Sequence, residues 1–245
     1  MQSPEFQTLG FVTDNPSKLL ASAVATGNVR GMQNVPGFDL IGAYTDPSGA
    51  RLSLVRRKGR EIEARPGLAS SETHRAAVSR LGDALAHASI ILDEESSLEL
   101  LVNVDDPTQY PERTAKDSNS FTLIQALQLG AICIRADVYE NEEAFLAERP
   151  NDDVEWTSRA MASASVPGVG LLAPSELNAR ALVGFTVETA WKRTNELTGQ
   201  EFWYGTGLSA VRVAFALPAK MDIEPGNVVL GTFTLTASSG LWDRS

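Results

Sequence analysis

Between Ala181 and Ala237, apolar and polar residues alternate through four successive runs, and this alternation constrains the fold more than any other feature of the chain. In the first run Val183, Phe185, Val187 and Trp191 take odd positions while Glu188 and Lys192 take even ones, the period-2 signature of a half-buried strand. Turn-forming residues from Thr194 to Gly199 then predict a reversal into Gln200–Thr206. Phe202 and Tyr204 share one face of that second strand; Glu201 and Trp203 share the other. A third strand carries Val211, Val213, Phe215 and Leu217 on one face with Arg212 outside, and Pro218 ends it. After a turn at Pro225-Gly226-Asn227, Val229, Gly231, Phe233, Leu235 and Ala237 alternate with Thr232, Thr234 and Thr236 to give the fourth.

Four short-linked strands of this kind expose adhesive edges unless they close on themselves, so a small barrel is expected over residues 174–245. The pattern is similar to an OB-fold, with Gly184 placed to kink a long first strand. It departs from that fold at Ala219–Glu224, which is too short for the helix usual between the third and fourth strands. The segments Leu182-Val183-Gly184, Thr194–Phe202 and Pro225–Phe233 also resemble the C-terminal signature of a family of uncharacterised bacterial proteins. In that family an OB-like tail follows a longer β-rich region, and Asp46-Pro47-Ser48-Gly49-Ala50-Arg51-Leu52 resembles its members as well. The resemblance spans most of the chain and implies no activity. The expected class is therefore mainly β: a β-rich N-terminal domain with a few short helices over residues 1–173, then an OB-like domain over 174–245.

Residues 1–70 carry 8 basic and 6 acidic groups, residues 71–173 carry 7 and 18, and residues 174–245 carry 6 and 7. The middle third thus holds a net charge of 7 − 18 = −11, which repels phosphate backbones at long range and disfavours non-specific nucleic-acid binding by the whole chain. No apolar run reaches membrane-spanning length, and Met1–Glu5 lacks the basic and apolar segments of a signal peptide, so a cytoplasmic protein without membrane contact is expected. The single cysteine, Cys133, lies in the apolar run Gly130–Ile134 and reads as a buried, inert thiol.

Asn15-Pro16 predicts the start of a helix that ends near Gly27. Phe38–Tyr44 and Arg51–Arg57 read as a hairpin across Asp46-Pro47-Ser48-Gly49, a turn that also resembles one in vicinal-oxygen-chelate proteins such as glyoxalases; those need metal ligands that two histidines do not supply. Arg56-Arg57-Lys58-Gly59-Arg60 is the densest basic run, without aromatic neighbours for stacking, and reads as a solvated hairpin end. Glu61–Ala64 extends the sheet before a turn at Pro66-Gly67, and Ser71–Leu85 has the spacing of a helix through Ala77, Val78, Leu81 and Leu85. Leu85–Leu92 reads as a strand with His87 as a structural histidine, and Leu98–Val104 as another, bracketed by Asp93-Glu94-Glu95 and Asp105-Asp106 in solvated turns. Phe121–Leu129 and Ala131–Tyr139 form two further β runs, and Asn141–Glu148 a short helix. Trp156 is the one aromatic residue of the irregular stretch that follows, and Ser175-Glu176 suggest a single capping turn. Gly168-Val169-Gly170-Leu171-Leu172-Ala173 formally matches a dinucleotide fingerprint, but Pro174 follows where a helix would have to begin, so it reads as a linker and no cofactor is expected.

The functional expectation rests on Lys192, Trp203 and Arg212, an aromatic beside cations on strands of the C-terminal domain, which alternation places away from the core, although packing of Trp203 beneath the N-terminal domain with the charges facing solvent is the favoured reading of the same pattern. Such a face can grip a peptide or stack a base. A non-enzymatic interaction or scaffold protein, with a protein partner or self-association, is the first reading; single-stranded nucleic-acid binding through the C-terminal domain is the alternative. A metal-dependent enzyme comes third, because no set of convergent titratable groups is legible.

Overall fold

A computed structural model describes residues 3–13, 15–113, 120–149, 157–163 and 177–243. Trp156, the Gly168–Ala173 linker and the Ser175-Glu176 turn lie outside them. The chain opens with α1 (Pro4–Thr8) and α2 (Pro16–Ala25), where the Asn15 side chain caps α2 by accepting the Lys18 N–H at 3.1 Å. Four strands, β1 (Val29–Val35), β2 (Phe38–Thr45), β3 (Ala50–Arg56) and β4 (Glu63–Leu68), then form an antiparallel sheet in that order. The β2–β3 reversal is the expected one. Asp46 accepts the Ser48 N–H and hydroxyl, and Gly49 sits at φ +91°, where a side chain would be strained. Pro66-Gly67 do not turn the chain but lie inside β4; proline is tolerated there because β4 is an edge strand, with one side of its ladder unneeded.

The second sheet contains β5 (Thr73–Arg80), β6 (Leu85–Ile91), β7 (Ser97–Val104), β8 (Thr122–Tyr139), β9 (Met161–Ser163), β10 (Arg180–Thr194), β11 (Glu201–Leu208), β12 (Arg212–Pro218) and β13 (Val228–Ser238), with α3 (Glu142–Ala147) after β8. The molecule is therefore mainly β. Two expectations change. Ser71–Leu85 is not a helix: Ala76 and Val78 are buried with period 2, and pairing with β6 and β8 overrides the local helical spacing. The two runs on either side of Gly130 are one continuous strand of 18 residues, because the absent Cβ gives Thr236 Oγ1 room, 2.8 Å from where that carbon would stand.

The long β8 and β13 pair antiparallel at the centre, from Val228↔Tyr139 to Ser238↔Gln128. On one side the consecutive strands β10, β11 and β12 pair in turn; β10 joins β13 antiparallel and β12 joins β8 parallel. On the other side β5, β6 and β7 pair in turn; β5 joins β8 antiparallel and β7 joins β13 parallel. Each meander thus closes a circuit of pairings over the central pair, and the two circuits differ by exchanging the roles of β8 and β13. The hydrogen-bonded sheet also runs across the boundary between residues 173 and 174.

One apolar core fills the space within both circuits, from Ala76, Ile90 and Val102 at one end to Phe185, Phe215 and Phe233 at the other. The outer face of β11 and β12 is buried as well. Phe202, Tyr204, Ala214 and Ala216, with Ile132 of β8, pack against Tyr44, Leu52, Leu54 and Leu68 of the four-stranded sheet and against Leu9, Phe11 and Leu19 beside the first helices. A fully buried Phe202 contributes roughly 1.5–3 kcal/mol over an exposed one, so this second layer is held by a substantial apolar contact.

Candidate functional site

The structure brings together two of the three residues singled out by sequence. Lys192 and Trp203 are register partners across β10 and β11, with the ammonium 5.2 Å from the indole centroid. Trp203 is half-buried against the main core and donates its N–H to the Met221 carbonyl at 2.7 Å, so it closes one end of the circuit rather than facing away from it. Trp203 faces the main core because Phe202 and Tyr204, on the opposite face of β11, are taken up by the second core, and Lys192 joins it through a bulge in β10: register shifts between Val187 and Thr189, Glu188 becomes the extra residue, and beyond it even positions point inward. Ala190 packs on the core, whereas Trp191 turns out and is 50% exposed. Arg212 is elsewhere: Trp203 pairs with Leu217 of β12, five residues or about 17 Å along the strand. There Arg212 makes a two-pronged ion pair with Glu188, Nε to Oε2 at 3.1 Å and Nη2 to Oε1 at 3.1 Å.

The outer face of β5–β7 is built as that of β10–β12 is, but among the described residues it is only partly covered: Leu101 and Ser79 are buried, whereas Ala77, His87, Ser89 and Glu99 reach the surface in part. Register aligns Leu123, Ala77, Ser89 and Glu99 across four strands, with Ser79 opposite His87 in the next row. A depression of about 310 Å³ opens here, lined by Ser79, His87, Ser89, Glu99, Arg113 and Phe121 among others. Its size is at the lower end for small-molecule sites. Glu99 organises the floor: Oε1 accepts from the hydroxyls of Ser89 at 2.6 Å and Ser97 at 2.7 Å, and Oε2 lies 2.7 Å from His87 Nε2.

Burial alone would raise the Glu99 pKa, but the two serines and His87 hold it below the usual value, so it is ionised and accepts a hydrogen bond from His87 Nε2–H. Burial, the largest influence, and the positive charge of Arg113 hold the His87 pKa below its ordinary value despite Glu99. His87 is therefore neutral at pH 7, with Nδ1 bare. The Ser79 hydroxyl makes no hydrogen bond to the imidazole among the described residues, so no nucleophile–base pair is assembled. Arg113 has no carboxylate partner among the described residues. Phe121 is 60% exposed at the rim, and Leu123 beside it 40%.

Asp105-Asp106, expected in a solvated turn, are buried. Arg51, fully buried on β3, reaches Asp105 at 2.5 Å and also pairs with Asp243, tying the four-stranded sheet to the end of β7 and to the C-terminal segment. Asp106 accepts from the Tyr110 hydroxyl at 2.8 Å and the Ser239 hydroxyl at 2.6 Å; burial, followed by the charge of Asp105, pushes its pKa up to about 7. This cluster explains itself as an internal latch. Asp93 accepts the N–H groups of Glu95 and Ser96 in an exposed turn, as expected, and burial pushes the Cys133 thiol up to about 12. In the basic run, Arg57 pairs with Asp83 and lies over Phe38. Among the described residues, no group of three or more His, Cys, Asp or Glu side chains is placed to hold a metal, and no helix is long and apolar enough to cross a membrane.

No family model matches the chain, and comparisons with curated proteins and with solved structures gave no significant match. The family resemblance of the C-terminal segments is accompanied only by the β-rich architecture. Sequence had drawn attention to His87 but not to its company, because Ser79 lay in an expected helix and Glu99 and Arg113 reach the same depression only through pairing and chain reversal.

Proposed function

We propose that this chain is a non-enzymatic interaction protein that presents the outer face of β5–β7, with the adjoining edge of β8, to a protein partner. The observation that carries this reading is the fate of the equivalent face. The outer surface of β11 and β12 already binds a protein layer, the β1–β4 sheet, through Phe202, Tyr204, Ala214 and Ala216. The β5–β7 face has the same strand construction but, among the described residues, is covered only around Leu101 and Ser79. Beside it, residues 122–127 of β8 pair with β5 on one side only among the described residues, and the run Thr122-Leu123-Ile124-Gln125-Ala126-Leu127 contains no charge or proline to discourage an added strand.

The OB-like reading accords with this. β10, β11 and β12 followed by β8 and β13 give a three-stranded meander, a strand parallel to its last member and an antiparallel return, with β8 supplied from earlier in the chain. The test is an affinity pull-down from native extract with the full chain and its Leu123→Lys variant. Recovery of a defined protein by the parent chain and its loss in the variant is the expected result. Recovery of nucleic acid alone, released by salt and lost in Trp203→Ala, would instead favour the single-strand-binding alternative.

A further inference from the structure

We infer that the depression on the outer face of β5–β7 is a binding site for a small organic oxyanion, a carboxylate or phosphate monoester on a flat apolar body, gripped by Arg113 and His87 with Phe121 against its apolar part. This goes beyond the protein-interaction reading and does not depend on it.

Three features of the lining select this chemistry. Arg113 lines the cavity without a carboxylate partner among the described residues, and a guanidinium fork matches the oxygen pair of a carboxylate or phosphate. Glu99 is engaged by Ser89, Ser97 and His87 and fixes the imidazole through Nε2, which leaves Nδ1 as the ring nitrogen able to meet a ligand. Phe121, 60% exposed, lines the same cavity and offers an aromatic surface that is mostly uncovered among the described residues.

The charged groups acting on His87 are Glu99 from β7, which favours its protonated form, and Arg113, which opposes it. An anion seated on Arg113 cancels that opposition and adds an acceptor at Nδ1, so binding draws a proton onto His87. The imidazole is neutral at pH 7 without ligand. The affinity accordingly weakens as pH rises through the pKa of the bound-state imidazole.

The test uses the full chain and nuclear magnetic resonance of its two histidines, with His74 as the internal reference, during titration with benzoate and separately with phenyl phosphate. At least one probe is expected to bind saturably and to raise the His87 pKa while leaving His74 unmoved. Arg113→Met should weaken that binding about tenfold or more, the effect of losing one charge-assisted contact. Response to benzoate alone assigns a carboxylate ligand, and response to phenyl phosphate alone a phosphate monoester. If neither probe moves His87, or if Arg113→Met, shown folded by circular dichroism, binds as the parent does, the inference is overturned.

Discussion

The meanders β10–β12 and β5–β7 are paired to the same central strands in the same way, yet one face is sealed and the other open. The sealed face carries Phe202, Tyr204, Ala214 and Ala216 and is covered by a sheet of the same chain. The open face carries Ala77, Ser79, His87, Ser89 and Glu99, small and polar residues around an ionised carboxylate, with Leu101 the one large apolar side chain beside His87 and itself buried. Strand pairing fixes the architecture, and side-chain chemistry on the outward face decides whether that architecture becomes core or surface. An apolar face is buried permanently because exposure is costly; a polar face with its hydrogen bonds already made tolerates water and is free for reversible binding.

The sharpest way to break the comparison is to unseal the sealed face. Phe202→Ala should cost about 3–5 kcal/mol in denaturant unfolding, as a large buried aromatic leaves a cavity between two layers. Arg51→Met should cost a similar amount, about 3–5 kcal/mol, because Asp105 and Asp243 lose the cation they share. A loss below about 1 kcal/mol for both would mean that the layers are not held as described.

A smaller effect is expected from pH. Asp106 has a raised pKa, so between its unfolded value near 4 and about 7 the native state binds more protons than the unfolded state. Stability contributed by this group should be present at low pH and decline as pH rises through that window. Asp106→Asn should flatten the decline in a series of unfolding curves from pH 4 to 7; an unchanged slope would locate the titration elsewhere.

The open face should respond least. Leu123→Lys should change stability by no more than about 0.5 kcal/mol, since it alters a solvent-facing side chain. A cost comparable to that of Phe202→Ala would show that the β5–β7 face is packed after all.

Much of the strand content was legible locally. Alternation located β10, β11, β12 and β13, and the Asp46–Gly49 turn located the β2–β3 hairpin, because each signal lies within a few residues of the element it specifies. The helix capped by Asn15 followed for the same reason. What was not legible depended on distant pairing. Alanines in β5 suggested helix until β6 and β8 flanked them, and Gly130 suggested a break until Thr236 explained its absent side chain. The Glu188 bulge reversed the facing of Lys192 and Trp191, which no count of alternating residues can show. The candidate site was the least legible part: His87 stands out in the sequence only as a structural histidine, and Glu99 and Arg113 gain meaning only when three strands and a returning loop set them around one depression.

The most direct test of the open-face claim is amide hydrogen exchange on the full chain with and without a partner recovered from native extract. Added protection confined to β5–β7 and to residues 122–127 of β8, with β10–β12 unchanged, is the result expected. Protection centred on Lys192, Trp203 and β11, with the β5–β7 face unaffected, would contradict it.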